Sequence, residues 1–338
     1  MHDRRYDVII AGASFGGLGV LSKIEDNNIL IIDENKIGER RTSTCATWAN
    51  VIKDVGSEDS IIQEFEKIKL HSQFNEYEFK LKNNWCTIDY SKFCKNIIEN
   101  SNADFIQASA KKVNGSKVIT NVGDFEGKII VDSTGWRSTL SKQNNQNNPQ
   151  SLSFGIETDV PFKDDSLHFF IDKTIINWGG AWIFPAGKVS RMGIGSYNKS
   201  NLIPELKNFL KRYNFKIGRL TGSYIPASYR EPVVGNIFVV GDAAGQTLPF
   251  TAEGIRKAIV NGRFCGSIIN RILSNEISLD EGLIEYKNYI ERKRINYKIL
   301  SFLQENSDKI PAIFIDILFN LASKKELSRY VKDFYLNL

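Results

Sequence analysis

The chain predicts an α/β fold with an antiparallel sheet inserted into it and a helical C-terminal tail. Three observations lead there. Apolar strand, glycine turn and helix follow one another twice, at Tyr6–Gly17 and at Ile237–Ile255, near opposite ends of the 338 residues. Between Leu152 and Tyr197 short runs such as SFGIETDV, LHFFID, AWIFPAG and SRMGIGSY alternate apolar and polar residues between turn signals, the pattern of antiparallel strands. Beyond Ile268 apolar residues return at spacings of three and four, as in Leu283, Tyr286, Tyr289 and Ile290.

At the N-terminus a strand from Tyr6 to Ala11 runs into Gly12-Ala13-Ser14-Phe15-Gly16-Gly17, then a helix, then a strand from Ile29 to Ile32 closed by Asp33. This is a Rossmann-like unit. Gly12 allows a tight turn out of the strand, Gly17 lets helix and strand approach, and the helix N-terminus offers N–H groups to a pyrophosphate. Gly12, Ala13, Ser14, Phe15 and Gly17 are therefore the candidate cradle. Asp33, 21 residues after Gly12, is placed to accept hydrogen bonds from a ribose. The pattern departs at Ser14, where glycine is usual and a Cβ now stands at the closest approach to the phosphates. A glycine-rich turn that binds nothing is the bland alternative.

Two further segments share this texture. IIVDSTGWRS, residues 129–138, is an apolar strand ending at Asp132 and followed by Gly135. NIFVVGDAAGQTLPFTAEGIR, residues 236–256, is a strand, Gly241-Asp242, a small-residue turn, and Gly254 opening a helix. In chain order the three resemble the fingerprints of flavoproteins with the para-hydroxybenzoate hydroxylase fold, and within that group the geranylgeranyl reductase family, including digeranylgeranylglycerophospholipid reductases. The resemblance covers roughly residues 6–273 and rests mainly on the third segment. It implies FAD as cofactor. It also implies that Asp242 contacts the ribityl and pyrophosphate part, that Gly254 and Ile255 bring N–H groups to the pyrimidine edge of the flavin, and that Val113 lies near the adenine. A helix N-terminus there would stabilise the negative charge that reduced flavin gathers around N1 and O2.

The same resemblance singles out Cys45 in GERRTSTCATWAN. A basic residue, Arg40 or Arg41, followed by a cysteine fits the family loop that folds over the flavin, with Cys45 in the substrate pocket or delivering a proton. The family follows its cysteine with glycine, whereas this chain has Ala46, and a buried apolar role is the plain alternative. Tyr90 stands where the family carries arginine, so that FAD affinity would lean on Arg40, Arg41 or Arg137. Trp182-Ile183-Phe184-Pro185 resembles the tail of a YxWxFP segment along the family's lipid tunnel, with Gly180 in place of the leading aromatic. Trp178, Trp182, Phe184, Phe169 and Phe170 are candidates to wall a channel, against the alternative of ordinary core.

Composition sets the remaining bounds. A hydrophobic share of 42% supports a sizeable core, and a net charge of +5, spread along the chain, gives no nucleic-acid footprint. Cys45, Cys86, Cys94 and Cys265 form neither a CxxC pair nor a zinc spacing, so no metal is expected, and a reducing cytosol is the simplest setting. No apolar run reaches the roughly 20 residues that cross a bilayer. Ile310–Ala322 is the most apolar window and suits a helix packed on the substrate region, with peripheral membrane contact as the second reading. The expected division is an FAD domain from 1–50, 86–142 and 233–273, a substrate domain from 51–85 and 151–232, and a helical region over 274–338, with Gln143–Gln150 as an exposed joining loop. The function expected is reduction of carbon–carbon double bonds in isoprenoid lipids or prenyl diphosphates, electrons coming from NADPH or a ferredoxin. A flavin monooxygenase or halogenase and a non-catalytic flavin carrier are the rivals.

Overall fold

The computed structural model describes residues 5–324 apart from 26, 42, 143–151, 199–200 and 227; the expected loop at Gln143–Gln150 lies outside the described residues. Two eight-stranded sheets organise the chain. In the first, β1 (Arg5–Ala11), β2 (Ile29–Asp33), β6 (Asp104–Gln107), β9 (Asp124–Asp132) and β16 (Ile237–Val239) are parallel in the order β16-β9-β1-β2-β6. β15 (Val233–Val234) adds an antiparallel edge, and β7 (Ala110–Asn114) and β8 (Lys117–Thr120) form a hairpin on β9. The chain leaves β1 toward β2 on one side and returns to β9 on the other. That makes the end of β1 a topological switch point, where open α/β sheets place ligands.

The second sheet runs β14-β10-β13-β12-β11-β4-β5-β3, from β14 (Leu220–Pro226), β10 (Leu152–Val160), β13 (Val189–Ser196), β12 (Gly179–Ala186), β11 (Leu167–Phe170), β4 (Ile61–His71), β5 (Glu76–Ile88) and β3 (Ala46–Trp48). β3 and the end of β5 thus pair inside this sheet, across the boundaries expected at 50 and 86.

Alternation along the strands sorts the core into layers. Val8, Ile10 and Val131 face α1 (Phe15–Leu21) and α5 (Ile255–Leu273), whereas Ile9, Ala11 and Ile130 face the β7–β8 hairpin. In the second sheet Ile156, Phe170, Ile183, Met192 and Ile194 pack beneath α4 (Ile203–Lys211). Phe184 and Trp85 join the layer of α1 and α5, so one apolar layer runs through both sheets. Helix α1, FGGLGVL, is buried around its whole circumference. Its three glycines are poor helix formers, and they are tolerated because a Cβ on Gly19 would lie 2.9 Å from the Ile259 carbonyl oxygen of α5. All four cysteines are free and buried.

The tail is α6 (Leu279–Glu291), α7 (Arg294–Asn306) and α8 (Ala312–Ser323). α6 packs as its periodicity predicts, burying Leu283, Tyr286 and Ile290 behind a capping box made by Ser278 and Glu281. α8 does so only in part. Its apolar residues Ile313, Phe314, Ile317, Leu318 and Leu321 are exposed, while Asp316 accepts hydrogen bonds from Ser72 and Asn75 at the β4–β5 turn. The packed reading of this window holds in part: α8 sits on the β4–β5 hairpin through Asp316 and through Phe319, edge-on to Tyr77, with Ile315 and Ala322 buried, while its other apolar residues turn outward. No helix among the described residues is long and apolar enough to cross a membrane.

Candidate active site

The carboxyl ends of β1, β2, β9 and β16 stand level, with Ala11 beside both Ile32 and Asp132, and Asp132 beside Val239. The glycine turn leaves from here. Gly12 takes φ +107°, and a Cβ on it would lie 2.1 Å from the Ser133 carbonyl oxygen; one on Gly17 would lie 2.0 Å from the Gly12 oxygen. Ser133 Oγ donates to the carbonyls of Ala11 and Gly12 at 2.7 and 2.9 Å, fastening the turn to the second segment. Asp33 Oδ2 accepts from the Ala13 N–H and Oδ1 from the Asn35 N–H, both at 2.8 Å, and the Asn35 side-chain amide also donates to Oδ1 at 3.3 Å, which leaves a lone pair on Oδ2. Phe15 packs on Tyr90 and Phe93, and Tyr90 donates its hydroxyl to Ser14 Oγ at 3.0 Å. The two departures from the family pattern in this region, Ser14 and Tyr90, therefore touch. Burial holds the Tyr90 phenol neutral.

The second and third segments meet at an arginine that the sequence reading missed. Arg230 donates from Nη1 to the Trp136 carbonyl at 2.7 Å and to Ser138 Oγ at 2.5 Å, and Ser138 Oγ donates to the Ala243 carbonyl. Arg230 is 4% exposed, and its Nε and Nη2 have no hydrogen-bond partner among the described residues. Half-buried Asp242 lies nearby with its Oδ1 held by Thr247 Oγ1 at 2.7 Å; burial raises its pKa, against the pull of Thr247 and Arg230. Asp132 is saturated by Thr134 and Ser141, so its work is to hold the turn in which Gly135 adopts φ +73°. Gly254 caps α5, and a Cβ there would meet Thr247 Oγ1 at 2.6 Å; Ile255 opens the helix buried. Val113 stands apart in β7, across from Val118 and packed on the layer away from α1.

On the second sheet the indole of Trp182 lies over glycines. Cβ atoms on Gly193, Gly155 and Gly195 would meet its ring at 2.4, 3.4 and 3.4 Å. Its Nε1 donates to Glu157 at 3.2 Å. Glu157 is buried, its pKa raised by burial against the opposing charges of Arg41 and Arg191. Arg41 pairs with Glu157 at 3.3 Å and Asp159 at 3.2 Å. Arg191 reaches the carbonyls of Thr44, Cys45 and Ile88. Cys45 sits beneath this cluster, fully buried at φ +52°, with its thiol pushed up to about 12, so it carries its proton at neutral pH. The left-handed turn falls on Cys45 itself, and Ala46 begins β3.

Phe169 and Phe184 contact each other on the Trp182 side, with ring centroids 4.8 Å apart. Phe170 points to the α4 core instead. Trp178 precedes β12 and donates its indole N–H to the Gln304 carbonyl of α7 at 2.7 Å, so it anchors the tail rather than joining Trp182 and Phe184. Arg41 is committed to the second sheet, Arg40 is exposed, and Arg137 is exposed and stacked on Trp136. At the start of α5 Arg256 grips Glu253 through two contacts and lies 4.2 Å over Trp48. Tyr286 and Tyr297 tie α6 and α7 to Val239 and Gln246 beside the third segment. An interior glycine in a strand marks a close approach, which was the available signal for Gly193 and Gly195. Arg230 carried none.

The residues present suit FAD: a turn free of Cβ atoms at Gly12 and Gly17, an Asp33 with an unused lone pair on Oδ2, and a buried arginine with two nitrogens in want of an acceptor. No family model matches the chain. An uncharacterised protein of Methanocaldococcus jannaschii is 24% identical over 316 residues, 82% of this chain and 78% of that one. The digeranylgeranylglycerophospholipid reductase of Methanococcus vannielii is 28% identical over 218 residues, 57% of this chain, and the match spans about half that reductase, 55%. Among solved structures, a geranylgeranyl bacteriochlorophyll reductase-like protein of Thermoplasma acidophilum superposes with a TM-score of 0.83 at 18% identity, over 95% of this chain and 92% of that one. The flavin-dependent brominase Bmp2 follows with 0.75 at 17%, over 98% and 93%. The fold is that of these flavoproteins, and the resemblance read from the three segments is borne out by reductase-named relatives.

Proposed function

We propose that this chain is an FAD-dependent oxidoreductase that reduces carbon–carbon double bonds in isoprenoid chains, with geranylgeranyl lipids or prenyl diphosphates as its substrate class. The observation that carries the reading is the meeting of three separated segments at one carboxyl edge, joined through the shared apolar layer to a sheet face that bears Trp182, Phe184 and the Cys45 cluster. Relatives named as reductases of such lipids support it. Bound FAD would supply the hydride to one alkene carbon. Gly12, Ala13, Ser14, Phe15, Gly17, Asp33 and Arg230 hold the dinucleotide, with Gly135 and Asp242 on the far side of the turn. Val113 lies toward the adenine, and the α5 N-terminus at Gly254 and Ile255 faces the pyrimidine edge. Trp182, Phe184 and Phe169 orient the alkene and exclude water, which an unactivated double bond requires. Cys45 holds a proton for the second carbon, with Arg41 and Glu157 fixing the loop over it. NADPH or a ferredoxin supplies the electrons.

The substrate class suits a protein with contact to a lipid surface. Ile295, Ile299 and Phe302 of α7 are exposed, as are Ile313, Phe314, Ile317 and Leu318 of α8, and exposed Arg292, Lys298 and Lys309 lie along the same stretch of chain. The deciding experiment is anaerobic. Chemically reduced protein is mixed with geranylgeranyl lipids and prenyl diphosphates, and products are weighed for two hydrogens gained per double bond. No gain with reducible FAD present rejects the reading in favour of an oxygen-using enzyme of the same fold, and the protein is then assayed in air.

A further inference from the structure

Helices α5, α6 and α7 line a partly open cavity of about 170 Å³ behind the α5 N-terminus, next to the site described above. Arg256, Lys257 and Asn261 of α5, Tyr289 of α6, and Lys293 and Tyr297 at the start of α7 face it. Three cations line this space and no carboxylate does. Glu253, beside it, is engaged by both prongs of Arg256. Lys257 is 8% exposed, yet its ammonium makes no hydrogen bond or ion pair among the described residues. An ammonium buried without a counter-ion is costly. Burial and the neighbouring Arg256 and Lys293 lower its pKa to about 7, against the opposing pull of Glu253. Lys257 is also the third residue of a 19-residue helix, where the helix dipole adds positive potential.

We propose that this cavity is a binding site for a phosphate or diphosphate group, with Lys257 as its central cation. Arg256 already answers Glu253, so the buried ammonium of Lys257 is the charge left to match, and a phosphoryl group brings charge and enough acceptors for Lys257 and Asn261 together. The anion has two possible sources, the headgroup of a phosphorylated isoprenoid or free phosphate or pyrophosphate. The site begins one residue after Ile255.

The test uses the full chain with thermal shift and calorimetry. Inorganic phosphate, pyrophosphate, geranylgeranyl diphosphate and neutral geranylgeraniol are the probes. Pyrophosphate should raise Tm, and at pH 8 its binding should take up a proton as Lys257 regains its charge, seen as a heat that varies with the buffer. Lys257→Met should weaken binding on the order of tenfold to a hundredfold. Asn261→Asp, which sets a carboxylate one turn after Lys257, should abolish the shift, and either variant alone suffices should the other not fold. Tighter binding of geranylgeranyl diphosphate than of pyrophosphate identifies a headgroup site; equal binding identifies a free anion. No shift with any phosphate probe, or equal affinity in parent and variants, overturns the proposal. Hydrogen gain by the alkene is read separately, so failure here leaves the reductase reading untouched.

Discussion

Glycine does different work in the two sheets. At the carboxyl edge of the parallel sheet, Gly12 and Gly17 are required by backbone, since any Cβ there would meet a carbonyl oxygen at 2.1 or 2.0 Å. On the antiparallel sheet Gly193 is required by side chains, the indole of Trp182 above all, while Gly155 and Gly195 lie in close contact with the same ring. Backbone cannot retreat, but an indole can be replaced. The first set is thus fixed by geometry and the second by choice of partner.

The sharpest way to break the comparison is to add a methyl group to each set. Gly17→Ala should cost about 3 kcal/mol or more and yield protein without yellow cofactor; a stable, yellow Gly17→Ala protein would refute the cradle. Gly193→Ala should cost about 1–3 kcal/mol by displacing Trp182, with FAD retained and indole fluorescence altered. Pairing it with Trp182→Leu should recover part of the loss, the remainder coming from the Glu157 Cβ at 2.7 Å, and no recovery at all would show that the indole does not hold this position to glycine.

Smaller effects sharpen the contrast. Arg230→Met should loosen FAD on the order of tenfold, measured by flavin release on dilution, because the two free donors are lost. Glu157 supplies a pH signature. Its pKa is raised above the ordinary 4.5, so its contribution to stability is full while the proton is on, below that value, and is lost as pH rises through the raised one. Glu157→Gln should therefore match or exceed the parent in Tm at pH 7 and lose that advantage toward pH 4; a deficit at pH 7 would mean that the pairing with Arg41 outweighs burial. Tyr90→Phe should be the mildest, about 1 kcal/mol for the bond to Ser14, read as a small drop in Tm.

The same distinction explains what the sequence disclosed. The cradle was legible because strand, turn, helix and Asp33 follow one another within one short segment. The glycines under Trp182 were not, because the β10–β13 register brings Gly155 beside Gly195 and Glu157 beside Gly193 from distant parts of the chain. Trp182 and Phe184 were found by their local motif. Trp178 was misplaced because β12 starts at Gly179, which leaves the preceding indole free to turn toward α7. Arg230 lies in a loop without periodicity, and only the meeting of two remote turns gives it a role. α8 was legible only in part: hydropathy reports how apolar a helix is, not which of its residues will dock, and Asp316 and Phe319 meet the β4–β5 hairpin while most of its other apolar residues face outward.

The four cysteines carry one more consequence. Burial pushes the thiols of Cys45, Cys86 and Cys94 up to about 12 and raises that of Cys265 well above the ordinary thiol range. The native chain should be silent to alkylating reagents, which attack thiolates. Each cysteine sits in a different element: the loop before β3, the end of β5, helix α3 (Tyr90–Glu99) and helix α5. Pulsed alkylation followed by peptide mapping would then act as a four-channel clock, recording the order in which the loop, the sheet and the two helices open, with no engineered label needed.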